Sequence, residues 1–278
     1  REDDEYEFDA LAGVGVAFKL VLALAMNMGL NTSEVFDKYV ELAAIGTIAD
    51  VVPLTSENRV IVEKGLALLQ NPSRCGIKAL LEVSGVADKK VTTATVAFAL
   101  APRINAAGRL STATTAVELL LTENEVTAAE IARELDASNK ERQQTELEIH
   151  QEAIAMIESD KDFEKKNVIV LAKEGWHNGV IGIVASRLVE HFHRPCILIS
   201  LDNGKGKGSG RSVGNFNLFN ALTACEPFLT NFGGHAVAAG LGINEDKLAE
   251  FDEAINKYAK DNLTAEDLVP VVKIDCVL

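Results

Sequence analysis

The chain has 278 residues, of which 47% are hydrophobic and 5% aromatic, and its 41 acidic and 27 basic residues give a net charge of −14. This length allows two domains, whose cores must be built mainly from Ala, Val, Leu and Ile because aromatic residues are few. The charge excludes a protein that is basic throughout and coats nucleic acid, but it permits a basic groove on an acidic body. No run approaches 18 apolar residues, so no transmembrane helix is predicted.

Cysteine usage and the first residues indicate the compartment. Cys75, Cys196, Cys225 and Cys276 are far apart and form no C-x-x-C pair, which predicts reduced, mostly buried thiols in a cytoplasmic protein. The chain starts with an acidic stretch that is unlike a signal peptide. It also lacks an initiating Met, so we expect a fragment of a longer protein.

The first part of the chain has the pattern of a helical region. A glycine-rich entry over 13–16 opens a predicted buried helix, and Ser33 is the expected N-cap of the next one. That second helix leads to Asp50, which stands between apolar pairs. We expect Asp50 near the core, where a carboxylate needs a hydrogen bond, an ion pair or a metal. The alternative is an Asp that ends the helix and shapes the turn before Pro53.

The stretch Pro-Arg-Ile-Asn-Ala-Ala-Gly-Arg-Leu over 102–110 follows a predicted helix over 92–100 and is expected to interrupt it. Its two arginines stand over small residues. This composition suits phosphate binding through fork-like hydrogen bonds. Two surface arginines beside a helix break would have the same pattern.

Residues 125–159 are strong helix formers without Gly or Pro. Between Leu135 and Leu147 there is no large apolar side chain, which is typical of a solvated helix supported by pairs such as Asp136 with Lys140. We therefore predict a linker helix between two domains.

Beyond this helix the pattern changes to a βαβ unit, with strands over 167–172 and 196–201 and a helix over 180–191. His177 precedes that helix, where outward-pointing amides make a natural anion site.

A second glycine-rich stretch, residues 203–212, contains Lys205, Lys207 and Arg211 but no acid. It is interpreted either as a flexible basic hairpin tip or as a loop that wraps a nucleic-acid backbone.

A third glycine-rich stretch, Phe-Gly-Gly-His-Ala-Val-Ala-Ala-Gly over 232–240, surrounds His235 with small residues. Glycines leave backbone amides uncovered, so a phosphate could approach the main chain beside the imidazole. The alternative is a tight turn into a strand with a His at its mouth.

Six stretches together resemble the RecJ family, single-strand-specific DNA exonucleases of the DHH phosphoesterase superfamily. Their order and spacing extend the resemblance over nearly the whole chain. The stretches are LAGVGVAFKL at 11–20, GTIAD at 46–50, PRINAAGRL at 102–110, GWHNGVIG at 175–182, SGRS at 209–212 and GGHAVAAG at 233–240.

The resemblance implies roles for individual residues. Asp50 would be a catalytic metal ligand in a two-metal site for Mn2+ or Mg2+. The family's D-x-D and D-H-H motifs, which supply most of the ligands, are not found here and are expected to precede this chain. The implied substrate-binding residues are Asn105, Arg109, His177, Ser209, Arg211, Gly233, Gly234 and His235.

The resemblance also implies an α/β fold. Residues 1–122 would be the mostly helical C-terminal part of a DHH metal domain, and 123–159 a linker helix. Residues 160–263 would form a mixed-sheet α/β DHH-associated, substrate-binding domain. Residues 264–278 would begin an OB-like domain.

The implied function is 5′ to 3′ exonuclease action on single-stranded DNA in repair and recombination, by two-metal hydrolysis. The chain by itself is expected to be inactive. Expected partners are single-stranded DNA and a single-strand-binding protein or a helicase, and no membrane. The alternatives are a DHH-family phosphodiesterase for short oligonucleotides or cyclic dinucleotides, and a noncatalytic nucleic-acid-binding relative.

Overall fold

The computed structural model describes residues 6–110, 112–264, 266–270 and 274. The chain divides into two compact units, Arg1–Glu141 and Arg142–Leu278. None of the described helices has the length and apolar character needed to cross a membrane.

The described part of the first unit is helical. The glycines fix how closely its helices pack: a Cβ at Gly65 would lie 2.2 Å from the Cβ of Ala44, and one at Gly76 would lie 1.9 Å from the carbonyl oxygen of Leu119. The main core is aliphatic, as the composition predicts. The helices are α1 Gly13–Asn27, α2 Thr32–Ala49, α3 Ser56–Leu69, α4 Cys75–Val83, α5 Thr93–Thr95, α6 Ala101–Leu110 and α7 Ala113–Leu121. Helix α8, Glu125–Ser159, begins in the first unit and ends in the second.

The prediction of a buried first helix is wrong. Phe18 is buried in α1, but Leu20 is 61% exposed and Met26 is 71% exposed. Apolar residues occur on every side of this helix, and packing against α2 covers only one of them. The N-cap of α2 is also not Ser33, because the side chain of Asn31 accepts the hydrogen bond from the Ser33 amide at 3.1 Å.

The predicted break at Pro102 is wrong as well. Helix α5 continues through a π-helical turn, Val96–Leu100, into α6. Proline has no amide proton for the helical ladder, and the wider turn accommodates it. Arg103 Nη1 donates to the Ala99 carbonyl at 2.7 Å in this turn.

Helix α8 confirms the predicted limits of the long helix. Its polar middle is not solvated on all sides, however, since Asp136 is 9% exposed, Asn139 3% and Glu146 2%. Ion pairs compensate the two buried carboxylates: Asp136 pairs with Arg103 at 2.8 Å, and Glu146 pairs with Arg187 at 2.7 Å. The sequence pattern missed a buried stripe because its members are polar.

The second unit is an α/β structure around a mixed sheet with strand order β1-β2-β3-β5-β4. Strands β1 and β2 are parallel and flank α9, which confirms the βαβ unit, and the other neighbours pair antiparallel. The predicted start of an OB-like domain falls largely on residues outside the described part. The elements are β1 Ile169–Glu174, α9 Ile181–Phe192, β2 Cys196–Asp202, β3 Lys205–Arg211, α10 Leu218–Ala224, β4 Leu229–Gly234, β5 Ala238–Asn244 and α11 Leu248–Asn262.

The basic glycine-rich stretch is neither a hairpin tip nor a loop. Only Asn203 and Gly204 form the turn, with φ of 49° and 74°, as in a two-residue hairpin of type I′. The following residues are β3, the central strand of the sheet. Both interpretations from the sequence therefore assigned the wrong backbone to this stretch.

Alternation along β3 separates its residues between two faces. On one face, a Cβ at Gly206 or Gly208 would lie 2.7–2.8 Å from the side chains of Ile199 or Leu241, which belong to the core beneath α10 and α11. The opposite face carries the polar side chains of Lys205, Lys207, Ser209 and Arg211. We call this second side the polar face of the sheet.

Candidate functional site

Ser209 and Arg211 form a contact group with the start of α9. Arg211 Nη1 donates to Ser209 Oγ at 3.1 Å and to the Gly210 carbonyl at 2.8 Å. A Cβ at Gly182 would lie 2.8 Å from Ser209 Oγ and 2.9 Å from Arg211 Nη2. Only glycine lets the helix approach so closely. A hydroxyl and a guanidinium thereby meet at the first turn of a helix, and these two donors suit a phosphate.

His177 lies in the turn that enters α9. Its carbonyl accepts the amides of Val180 and Ile181 at 2.9 and 3.1 Å, and its Nδ1 accepts the Gly179 amide at 3.1 Å. Neutral His177 then carries its proton on Nε2 and can donate from there. The imidazole is exposed to solvent.

Trp176 anchors the same turn. The indole is 5% exposed and its Nε1 donates to Glu152 Oε2 of α8 at 2.7 Å. Hydrogen bonds from Lys173 and Trp176 lower the pKa of Glu152 from its ordinary value, so the carboxylate stays ionised as an acceptor. The side chain of Trp176 is therefore structural, and it fixes the backbone that carries His177.

The third glycine-rich stretch is the β4–β5 hairpin. Gly233 pairs with Gly240, which pairs with Ser209, so two strand spacings, about 10 Å, separate Gly233 from Ser209. Gly234 has φ of 143°, a conformation that favours glycine, and His235 is exposed in the turn. Of the two readings from the sequence, the turn at the mouth of a strand describes the backbone.

The hairpin turn is held beside the end of β3. The Ser212 amide donates to the Val237 carbonyl at 3.0 Å, and the Leu218 amide donates to the Ala236 carbonyl at 2.9 Å. The structure thus places the glycine-histidine turn and Arg211 at the same end of the sheet. It places no contact between the side chains of His177 and His235.

A groove of about 680 Å³ lies on the polar face of the sheet, bounded by the entry to α9 and the β4–β5 hairpin. Ser209 is one of its lining residues. The other side chains include two cations and four uncharged polar groups, and no carboxylate lines the groove. They are Lys205, Lys207, Asn178, Thr230, Asn231 and Asn244.

Asp50 lies in the first unit, where it caps the C-terminus of α2. It is exposed rather than near the core. Asp50 follows the buried Ile48 by two residues, about 200° around the helix, which turns it away from the packed side. Val51, directly after it, has φ of 56°, a strained conformation for a β-branched residue.

Asn105 and Arg109 both lie on α6, one helical turn apart, and both are exposed. The exposed Gly108 between them has no described atom within 4 Å of an added Cβ, so packing does not require glycine there. Arg103, the other arginine of the stretch, is bound to Asp136 through two nitrogens at 2.8 Å. Only Arg109 of the pair retains the exposed position that the sequence predicts.

The residues of the described part do not by themselves form a metal centre. Among them, no group of three or more His, Cys, Asp or Glu side chains is arranged to hold an ion. An exposed carboxylate has the donor chemistry for Mg2+ or Mn2+, so Asp50 fits as a single ligand but not as a site.

The three cysteines in the described part of the chain belong to no group that could hold a metal ion. Cys196 and Cys225 are buried, Cys75 is half-buried, and all three are free thiols. Burial raises the pKa of Cys225 to about 11 and that of Cys196 further, so both stay protonated. This confirms the prediction of reduced, mostly buried thiols, while Cys276 lies outside the described residues.

Sequence reasoning missed three parts of this surface. Gly182 and Asn231 had no assigned role, and Lys207 was considered only as part of a basic loop, although each lies on the polar face or against it. The Asn203-Gly204 dipeptide is a strong hairpin signal, and it would have placed Lys205 and Lys207 on a strand.

Comparison with known proteins defines the class first. Residues 165–261 match the DHHA1 domain. This range contains the whole sheet, with α9, the polar face and the β4–β5 hairpin. The second unit is therefore built around a DHHA1 domain.

Individual relatives match nearly the whole chain. Over 98% of its length the chain is 45% identical to the single-stranded-DNA-specific exonuclease RecJ of Bacillus subtilis, and over 93% it is 40% identical to that of Escherichia coli. The crystal structure of RecJ from Thermus thermophilus in complex with Mg2+ covers 92% of the chain with a TM-score of 0.82 and 37% identity. The corresponding Mn2+ complex gives a TM-score of 0.81 and 36% identity.

The chain is thus a homologue of RecJ over nearly all of its length, which confirms the resemblance seen in the sequence and the α/β fold. It spans 34% of the B. subtilis protein and 48% of the E. coli protein, and it covers 39% of the Mg2+-bound chain.

Proposed function

We propose that this chain is the substrate-holding part of a metal-dependent 5′ to 3′ exonuclease for single-stranded DNA, acting in repair and recombination. The observation that carries the proposal is the convergence of Ser209, Arg211 and the start of α9 around Gly182. Relatives named as single-stranded-DNA-specific exonucleases support the substrate class.

In this proposal the chain binds and orients the strand. Ser209 and Arg211 hold a backbone phosphate beside the first turn of α9. Gly233, Gly234 and His235 bind the strand at the same end of the sheet. His177 donates from Nε2, and Asn105 and Arg109 contact the strand from α6. Fixing the phosphate removes much of the entropic cost of reaching the attack geometry.

Asp50 would supply one carboxylate to the metal ions. Relatives crystallised with Mg2+ and Mn2+ support this choice of metal. Such ions lower the pKa of bound water and stabilise charge on a phosphate. No group of three or more such ligands is arranged to hold an ion among the described residues, so we expect the 278 residues alone to bind DNA without hydrolysing it.

The proposal is tested by fluorescence anisotropy with a labelled single strand of about 16 nucleotides in EDTA. Arg211→Ala is expected to weaken binding about tenfold or more, because a charge-assisted hydrogen bond is lost, and to reduce the salt dependence by roughly one phosphate contact. The control is Lys260→Ala, which removes one positive charge from α11, on the opposite face of the sheet. It should leave the DNA affinity and its salt dependence unchanged.

Competition separates the alternatives. A strand of this length should displace the probe better than a duplex or a cyclic dinucleotide, with affinity that falls steeply with salt. A flat salt response and preference for the cyclic dinucleotide would replace the proposal with a small-substrate phosphodiesterase. Rapid Mn2+-dependent hydrolysis by the 278 residues alone would contradict the assignment of the missing ligands.

A cytoplasmic location and contacts with a single-strand-binding protein or a helicase belong to the same proposal. Pull-down of either protein in the presence of nuclease would test the contacts without a DNA bridge.

A further inference from the structure

We propose that the groove on the polar face of the sheet binds two further nucleotides of a single strand, beyond the phosphate held by Ser209 and Arg211. This inference rests on the proposed function and extends it to residues without an assigned role. Lys205 and Lys207 would contact two successive phosphates, beside the bare backbone at Gly240.

Charge is the first argument. The chain carries a net charge of −14, yet the groove is lined by two lysines and no carboxylate. Lys165, Lys166, Lys173 and Lys247 in the same unit pair with carboxylates. No such pair involves Lys205 or Lys207 among the described residues. Asp202 lies opposite Lys205 in the β2–β3 pair, so Lys207 carries most of the excess positive charge of the groove lining. Such an excess selects an anionic ligand.

Spacing is the second argument. Residues two apart in a strand lie on the same face about 7 Å from each other. Lys205, Lys207, Ser209 and Arg211 therefore form a straight row of phosphate-binding groups about 20 Å long. A row of regularly spaced donors matches a polyanion with regularly spaced charges better than it matches a single phosphate.

The glycines give the third argument. A Cβ at Gly240 would meet only the Gly208 carbonyl, at 3.7 Å, and a Cβ at Gly233 would meet no described atom within 4 Å. Neither residue has positive φ, so backbone and packing would both accept a side chain. Glycine in a strand costs stability. Keeping this part of the face bare leaves room for a ligand to approach the backbone.

The remaining lining groups suit a nucleotide. Asn178, Thr230, Asn231 and Asn244 are exposed, uncharged and able both to donate and to accept hydrogen bonds. Such groups can bind sugar and base edges, while the lysines bind phosphates as point charges. The volume of about 680 Å³ is within the range that holds one drug-sized ligand.

The first test uses the 278-residue chain in EDTA with a labelled oligothymidylate, and measures affinity across a salt series. Lys205→Ala with Lys207→Ala should weaken binding at least tenfold and lower the log–log salt slope by about 1.4, since each lost phosphate contact contributes about 0.7 for a single strand. The matched control, Lys257→Ala with Lys260→Ala on α11, should change neither quantity.

The second test separates ligand binding from folding. Gly240→Val should raise the melting temperature, because valine favours strands and its Cβ would come no closer than 3.7 Å to its nearest neighbour, the Gly208 carbonyl. It should nevertheless weaken DNA binding at least fivefold, because the side chain would fill the space above Gly240. If Gly240 had only a structural role, the replacement would not raise the melting temperature and lower the DNA affinity at the same time.

The outcomes also distinguish the two proposals. If Arg211→Ala weakens binding while the lysine pair and Gly240→Val do not, the groove is excluded and the proposed function stands. If the unaltered chain binds no single strand at any salt concentration, the proposed function fails and the groove assignment fails with it.

Discussion

Two stretches that combine glycine with arginine, 102–110 and 203–212, look alike in the sequence but adopt different backbones. The first continues a helix, whereas the second is mostly the central strand of a sheet. In the helix, Arg103 and Arg109 are six residues apart, or about 240° around the axis, so one binds Asp136 and the other lies on the exposed side. In the strand, alternation places every cation on one face.

The difference shows how the same composition can serve stability in one unit and a binding surface in the other. A helix distributes charged side chains around its axis, so each arginine acquires its own environment. A strand keeps them in register, and glycines on the packed side let the core approach. The comparison gives four predictions, beginning with the largest effect.

Arg103→Ala should lower the free energy of unfolding by about 3 kcal/mol, because it leaves the carboxylate of Asp136 buried without its guanidinium partner. Urea denaturation measures the loss. The double replacement Arg103→Met with Asp136→Leu should recover most of it. If the single variant were as stable as the parent, Arg103 would be equivalent to a surface arginine. The conclusion that the helical stretch serves stability would then be wrong.

Gly206→Ala in β3 should cost about 1–3 kcal/mol through overpacking, since the new Cβ would lie 2.7 Å from Ile199 Cγ2 and 2.8 Å from Ile243 Cγ2. Thermal unfolding monitored by circular dichroism measures the effect. Gly233→Ala is the matched control in the same sheet and should not destabilise, because its Cβ meets open space. Equal losses in both variants would contradict the two-faced description of the sheet.

Gly108→Ala in α6 should raise the free energy of unfolding by about 1 kcal/mol, in contrast to the two losses above. Alanine favours the helix interior, and its Cβ meets no described atom within 4 Å. The same variant should weaken single-strand binding if the strand passes over Asn105 and Arg109. Differential scanning calorimetry and anisotropy on one preparation measure both. Unchanged DNA affinity would remove α6 from the proposed interface.

Lys140→Ala should have the smallest effect, about 0.5 kcal/mol, since its side chain is 73% exposed. Burial raises the pKa of Asp136, but hydrogen bonds from Lys140 and Arg103 outweigh it and hold the pKa below its usual range. The stabilisation is therefore present above the unfolded pKa of an Asp and is lost as the pH falls. The variant should lose less stability than the parent between pH 5 and pH 2, about the range over which such a carboxylate titrates.

Much of the fold was predictable from local patterns. The limits of α8 follow from a long run without Gly or Pro, and the βαβ unit follows from hydrophobic periodicity. The failures have physical causes. Strand β3 lacks β-branched residues and takes its conformation from β2 and β5, and Pro102 stays helical because a π-helical turn absorbs it.

The site was predictable in composition but not in geometry. Ser209 and Arg211 were selected as substrate-binding residues and the structure brings them into contact. The helix that completes their contact group depends on Gly182, 27 positions earlier. Asp50 was expected near the core because its flanks are apolar, whereas helical phase directs it outwards. Contacts between distant segments require the tertiary structure.

The central position of β3 has a consequence for the order of folding. Its Lys-Gly-Lys-Gly-Ser-Gly-Arg sequence has little intrinsic tendency to form a strand, so it cannot nucleate the sheet. Strand β2 is strongly apolar, and the Asn203-Gly204 turn brings β3 back against it at once. We therefore expect the β2–β3 hairpin to form early and β5 to join by a slower, long-range step. Replacing Asn203 by a residue that disfavours positive φ should therefore slow refolding, even if the surface of the folded protein stays the same.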